Sequence, residues 1–564
     1  MAWLLRAVSR HNLRLSHRFT KRFIGEPRQP PRLACPDHSN HPAFPGHHVN
    51  PTPLPFEHET LSPASLLGAF LSRTVTVVRV MSAPPPSTPP RGTEPPTVIV
   101  GGGLAGLSAA VGLATQGRPA LLFESRLRLG GRAGSFHDGA TEEWIDHCQH
   151  VGMGCCTSLL WLIQTVGLEE CFRRDRALHF VAPPDPASSQ PPLVHRLQAA
   201  PLPAPLHLLP GLSQLKYLDG RRRREIRRGM LALARCSGPD LDRSFDDWLS
   251  EHGQSPESVA GFWEVILVSA LSESLDHIAV SHARHVFVSG FLGHRSGWEL
   301  IVPRVPLEEI YGTRLSGWLA DHGVEVRTGS AVRNVEWENE RVVGVRLADE
   351  RVVAADRVVL AVPHHRLGNL LPEPLESHPQ VTALEQLDTA PIAAVHLWFD
   401  RPVTDLPHAV LVGRLGQWVF RRESPTENGD YLQVVISAAR HVTGRDREEV
   451  ISEVVDELRA IWPESVGARL HRSRLVIEHR AVVSPRPGTD SLRPEQLSPW
   501  TGLYLAGDWT RTGWPSTMEG AVRSGLSAAE AVLADLSVPA QLQPPDLVPG
   551  RLAGWLLGIG RKTP

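Results

Sequence analysis

Apolar positions first gather into a pattern at Val98, where VIV runs into GGGLAGLSAAVGL. The β-branched run Val98–Val100 predicts a short strand buried on both faces. LSAAVGLATQG predicts a helix, with a glycine-rich turn between strand and helix. ALLFE, Ala120 to Glu124, predicts a second strand. From Gly323, GVEVRTGSAVRNVEWENERVVGVRLADERVVAADRVVLAVPHHRL alternates as a hairpin does and closes on a buried strand, Val358 to Val362. YLAGD predicts a further strand ending at Gly507 and Asp508, and STMEGAVRSG opens a helix at Met518. Between these pieces, residues 145–300 read as mostly helical and 364–495 as mixed strand and helix.

The ends of the chain lack this order. MAWLLRAVSRHNLRLSHRFTKRFIGEPRQP holds seven Arg or Lys and one acid and resembles a transit peptide. A Pro- and His-rich stretch follows, then the spacer MSAPPPSTPPRGTEPP, which suits neither helix nor sheet. Two expectations stand for residues 1–95: a disordered extension, or a translation start at Met81 with upstream sequence read through. The tail LVPGRLAGWLLGIGRKTP, within 538–564, carries an apolar patch flanked by arginine. It reads either as an interfacial helix or as a packed tail.

Composition narrows the classes. Lys+Arg 58 against Asp+Glu 60 leaves a net charge of −2, which gives no support for nucleic-acid binding. Lysine occurs only at 21, 216 and 562. Six cysteines in 564 residues make no disulfide framework. No apolar run reaches the ~18–20 residues that span a bilayer, so the expectation is a soluble or peripheral protein.

Gly101, Gly103 and Gly106 fit G-x-G-x-x-G between strand and helix. The first permits a tight turn, the second lets backbone approach a pyrophosphate, and the third lets helix pack on strand. The helix then directs its N-terminal N–H groups at that pyrophosphate. Glu124, ending the second strand, is placed to accept hydrogen bonds from ribose hydroxyls.

After Glu124 the chain reads SRLRLGGRAGSF, and near its end GLYLAGDWTRTGWPSTMEGAVRSGLSAAEAVL. Both resemble the flavoproteins of the amine oxidase and carotenoid desaturase superfamily. The resemblance implies FAD, with Gly130, Gly131 and Arg132 along the pyrophosphate and Asp508, after Gly507, on the ribityl or pyrophosphate region. It places a residue near Val332 against adenine and the helix starting at Met518 at the pyrimidine edge of the flavin. The implied fold is α/β: a Rossmann-type FAD-binding domain from 96–144, 301–363 and 496–537, and a mixed α+β substrate domain from 145–300 and 364–495.

The middle of the chain is similar to the hydroxysqualene dehydroxylases, the squalene-associated FAD-dependent desaturases. IDHCQHVGMGC, GFWEVILVSALSESLDHIAVSHARHVFVSGFL and ELIVPRVPLEEIYGTRLSGWLADHG carry this similarity, which spans most of 96–537. One motif departs: Asp146-His147-Cys148-Gln149-His150 stands where that group commonly has D-N-G-Q-H. The similarity implies an apolar isoprenoid substrate and reductive loss of an allylic hydroxyl as water. It leaves the electron donor open. Hydroxide leaves poorly, so a general acid is expected, and His150, with Asp146 nearby, and Glu264 are the candidates. Equally, Asp146 and His150 suit a tied-down loop under the flavin. Cys148, Cys155 and Cys156 are spaced C-x6-C-C, which matches no zinc pattern, and no metal is expected. Rival readings are a carotenoid-type desaturase, an amine oxidase and a flavin-binding scaffold without turnover. The amine oxidase lysine has no counterpart in APIAAVHLWFD, where His396 stands, though Trp514 could wall one side of the flavin. The expected location is the cytoplasm, with peripheral contact to the inner membrane.

Overall fold

Thr97–Val100 is the middle strand of a five-stranded parallel sheet in a computed structural model that describes residues 95–139, 142–184, 190–422 and 429–559. The N-terminal extension, Met81 and most of the Pro-rich spacer lie outside the described residues. The sheet order is Val324–Arg327, Ala120–Phe123, Thr97–Val100, Val358–Leu360 and Leu503–Leu505. Alternation within these short runs decides which layer each side chain joins. Ile99, Leu122 and Val359 pack on the helices Leu104–Thr115 and Met518–Asp535. Val98, Val100, Leu121, Phe123, Val358 and Leu360 face the other way, into a second apolar layer. Both faces are covered, which is why the runs are apolar without interruption. The two helices cross closely: a Cβ on Gly525 would lie 2.1 Å from the Ala105 carbonyl oxygen.

The alternating segment after Gly323 is more than a hairpin. Val324–Arg327 joins the parallel sheet. Val332–Glu338, Arg341–Leu347 and Val352–Ala354 then form an antiparallel meander that covers the sheet's second face. The following strand stops at Leu360, shorter than the predicted run to Val362. Pro363, which has no N–H to extend a ladder, marks the departure.

The other large layer is a seven-stranded sheet: Leu470–Val483, Thr389–Phe399, Asp430–Ile436, Trp418–Arg422, His408–Leu411, Leu178–Val181 and Val194–Leu197. Its last two strands come from 145–300, so that segment is not simply helical. The helix Arg447–Ile461 covers one face through Val450, Val454 and Leu458. Phe180, Val410 and Phe420 project from the other face toward a helical lobe that includes Glu264–Leu271 and Val280–His285.

Candidate active site

The glycine turn is built by close backbone approach. Gly101 has φ +112°, and a Cβ there would sit 2.4 Å from the Ala361 carbonyl oxygen. A Cβ on Gly106 would lie 1.9 Å from the Gly101 oxygen. Gly103 differs. The nearest atom to a Cβ there is the Gly131 Cα at 4.0 Å, and no side chain caps the helix that begins at Leu104. The turn therefore leaves a cradle that any side chain would fill, beside N–H groups suited to a phosphate. Glu124 borders it: its Oε2 accepts from the Gly102 N–H at 2.7 Å and its Oε1 from the Arg126 N–H at 2.8 Å. Val332 and Met518 line the same space. The residues present fit a dinucleotide.

Arg132 and Asp508, from opposite ends of the chain, meet here. Arg132 pairs with Asp508 and donates to the Ala481 carbonyl at 2.7 Å. The other oxygen of Asp508 accepts from the Ser516 hydroxyl, and Arg493 donates to the Asp508 carbonyl at 2.9 Å. Burial opposes ionisation of Asp508, but Arg132 and Ser516 outweigh it and hold the carboxyl below its usual range. Gly507 precedes it at φ +148°, and its N–H donates to the Ser524 hydroxyl of the helix Met518–Asp535 at 2.8 Å.

From this polar end a cavity of about 1200 Å³ runs between the two large sheets. Its far walls are apolar, including Phe180, Val265, Ile266, Phe291, Trp418 and Phe420. Among the described residues, no lysine and no tyrosine lines it. His396 lies in the seven-stranded sheet, outside the lining, with its Nδ1 2.9 Å from the Tyr431 hydroxyl.

Of the three acid candidates, His150 alone lines the cavity. Its Nδ1 faces the Cys148 carbonyl at 3.0 Å; a carbonyl only accepts, so Nδ1 carries the hydrogen. Burial lowers its pKa, against partial support from that hydrogen bond and Asp146. The neutral ring thus has a basic Nε2 rather than a ready proton. Asp146 is tied down: Oδ1 accepts from the Ser135 hydroxyl at 2.7 Å and the Leu307 N–H at 2.9 Å, Oδ2 from Arg422 at 3.1 Å. It lies outside the lining and anchors the loop. Glu264 is exposed and also outside, although its neighbours Val265 and Ile266 face the cavity. Asp146 and Glu264, both expected as acids, thus lie outside the cavity lining that holds His150. Burial pushes the Cys148 thiol up to about 12, and among the described residues no His, Cys, Asp and Glu group is arranged to hold a metal.

Three site residues were not singled out in the sequence: Arg422, His285 and His364. Arg422 spans Asp146 and the Gln149 amide oxygen, 2.9 Å away, and so sets the loop that carries His150. It is one of many arginines, and nothing in its surroundings singles it out. His285 and Trp514 meet edge to face in the cavity wall with centroids 4.3 Å apart. Burial holds His285 at about 4, and His364, also in the wall, at about 4. A one-turn spacing of His285 and Ser289 in HARHVFVSG was the available clue.

The comparisons with known proteins agree with this architecture. The family model for flavin containing amine oxidoreductases matches residues 104–533. The chain is 27% identical over 467 residues to a 15-cis-phytoene desaturase of Synechococcus elongatus, covering 77% of this chain and 95% of that protein. It is 26% identical over 449 residues to a hydroxysqualene dehydroxylase of Zymomonas mobilis, covering 78% and 99%. Among solved structures, cyclohexylamine oxidase from Brevibacterium oxydans aligns with a TM-score of 0.57 at 19% identity, over 79% of this chain and 100% of that one. That likeness concerns the fold. The glycine cradle and the family match lead to one conclusion: this chain belongs to the flavin-containing amine oxidoreductases and is an FAD-dependent oxidoreductase.

Proposed function

We propose that the protein acts on a long apolar isoprenoid and catalyses reductive dehydroxylation of a hydroxysqualene-type allylic alcohol. The observation that carries this reading is the cavity, with its polar dinucleotide end and its apolar far end. When bound and reduced, FAD supplies a hydride equivalent. The allylic C–O bond breaks, a C–H bond forms, and the oxygen takes a proton and leaves as water. Gly101, Gly103, Gly106, Glu124, Gly131, Arg132, Val332, Gly507, Asp508 and Met518 are the residues proposed to hold the cofactor. The apolar walls exclude water from the reacting carbon. His150 is proposed to move the proton.

The neutral state of His150 favours a second reading. An imidazole that accepts a proton suits carotenoid-type desaturation, in which the substrate loses a hydride and a proton. That no lysine and no tyrosine lines the cavity among the described residues speaks against amine oxidation. Anaerobic enzyme with reduced flavin, mixed with hydroxysqualene, tests the direction. Flavin reoxidation with squalene formed supports dehydroxylation. No reoxidation, with oxidised enzyme instead reduced by phytoene, establishes the second reading.

A further inference from the structure

The helix Gly220–Arg235, GRRRREIRRGMLALAR, has seven arginines and one acid. Ile226, Gly229 and Leu233 bury one side. Arg224, Arg228, Leu231 and Arg235 recur every three or four residues on the opposite side, and all four are exposed. The single acid, Glu225, does not neutralise this stripe: its carboxylate accepts from the Ser255 and Ser258 hydroxyls at 2.7 and 2.9 Å and pairs with Arg221. Arg224 and Arg228 make no hydrogen bond or ion pair with the described residues. Arg224 and Arg228 are therefore two exposed positive charges whose counter-charge lies outside the fold.

The stripe ends at the C-terminal helix Arg551–Leu557, where Arg235 donates to the Leu556 carbonyl at 3.0 Å. Ala553 and Leu557 pack that helix onto Ala234 and Val288. Trp555 falls on its other side and is 76% exposed, with Val548 77% exposed just before the helix. Large exposed apolar groups beside unpaired arginines match the two halves of a lipid interface: acyl boundary and anionic headgroup. The position also suits delivery. Val288 and Leu292 take the C-terminal helix on one side of Val286–Leu292, while Ser289, Gly290 and Phe291 of the same segment line the apolar cavity.

We propose that the stripe Arg224–Arg228–Leu231–Arg235 and Trp555 form a docking face for an anionic lipid bilayer, one helix away from the apolar cavity. Its purpose rests on the isoprenoid reading above, but the docking is measurable without turnover. The test is flotation of full-length, FAD-loaded enzyme with vesicles of phosphatidylcholine alone or mixed with an equal part of phosphatidylglycerol. The enzyme is expected to float with the mixed vesicles, and less so as salt rises. Arg224→Gln with Arg228→Gln should weaken that partitioning about thirtyfold, with flavin content and melting temperature unchanged. Trp555→Ser should weaken it independently of lipid charge. Equal partitioning of wild type and the double arginine variant overturns the proposal. So does absence of vesicle binding, or tighter binding of a DNA duplex than of the mixed vesicles. Turnover of detergent-dispersed substrate, read separately, reports on the function alone: a double variant that turns over normally yet no longer floats supports the docking face.

Discussion

The two ends of the cavity are built by different means. At the cofactor end, backbone does most of the work: Gly101 and Gly106 are pressed against other main chain, and Gly103 opens the cradle. At the substrate end, side chains from remote segments make the walls, with Phe180, Ile266 and Phe420 drawn from three separate stretches. Backbone constraints demand one residue type at fixed spacing. Side-chain walls demand only bulk and apolarity, which many sequences satisfy. The cofactor end should therefore fail abruptly on substitution, and the substrate end by degrees.

The largest effect should come from Gly106→Val, which drives carbons into the Gly101 carbonyl and should lower flavin content about tenfold or more together with stability. Gly103→Ala sharpens the contrast. Space exists for its methyl, so the apoprotein should melt as wild type does while flavin content falls; an unchanged flavin content would remove the cradle as the phosphate site.

Next, His150→Ala should reduce turnover about a hundredfold with flavin still bound, as loss of a proton-transfer group does. Its pH profile carries a sign. Because burial lowers the pKa, the wild-type limb lies on the acid side of the ordinary histidine value. Donation by imidazolium makes turnover fall as pH rises through that limb; acceptance by imidazole makes it rise. Either limb should vanish in the variant, and a limb that persists assigns the proton to another group.

At the substrate end, Ser289→Trp projects bulk into the cavity wall and should cut kcat/KM for a long substrate by about tenfold to a hundredfold, sparing flavin content. A shorter isoprenoid alcohol should lose less. The smallest effect is on stability. His207, His285 and His364 sit at about 4 and His396 at about 3, all through burial. Their neutral forms favour the folded state, so that contribution is whole above the unfolded value of ~6.5 and is lost as pH falls from there toward 4. Melting temperature should decline over that window, and a flat profile would mean these rings keep water contact.

The same contrast explains what the sequence made legible. The strand-turn-helix at Val98, the second strand at Ala120 and the late Gly507-Asp508 motif are local patterns, and each sits at the cofactor end of the fold. The pairing of Arg132 with Asp508 was not readable, because each alone suggested a direct contact with FAD. The acid assignments to Asp146 and Glu264 relied on closeness in sequence to apolar or histidine-bearing stretches. The structure places both outside the cavity lining: Asp146 is bonded to Ser135, Leu307 and Arg422, and Glu264 is an exposed residue. The predicted hairpin became a meander because alternation is common to both, and pairing partners are set by the layer beneath. The tail is packed through Ala553, as one of its two expected forms has it, and leaves Trp555 exposed.

The parallel sheet draws its strands from five separated segments, and its last strand and covering helix come from Leu503–Leu505 and Met518–Asp535. About 400 residues separate the first glycine of the turn from Gly507. During synthesis the emerging chain therefore carries half a cofactor site, with apolar strand faces uncovered, until nearly all of it has left the ribosome. A chain that stops before Leu503 lacks both the last strand and its covering helix and is expected to hold no flavin, which the flavin content of such a truncated chain checks.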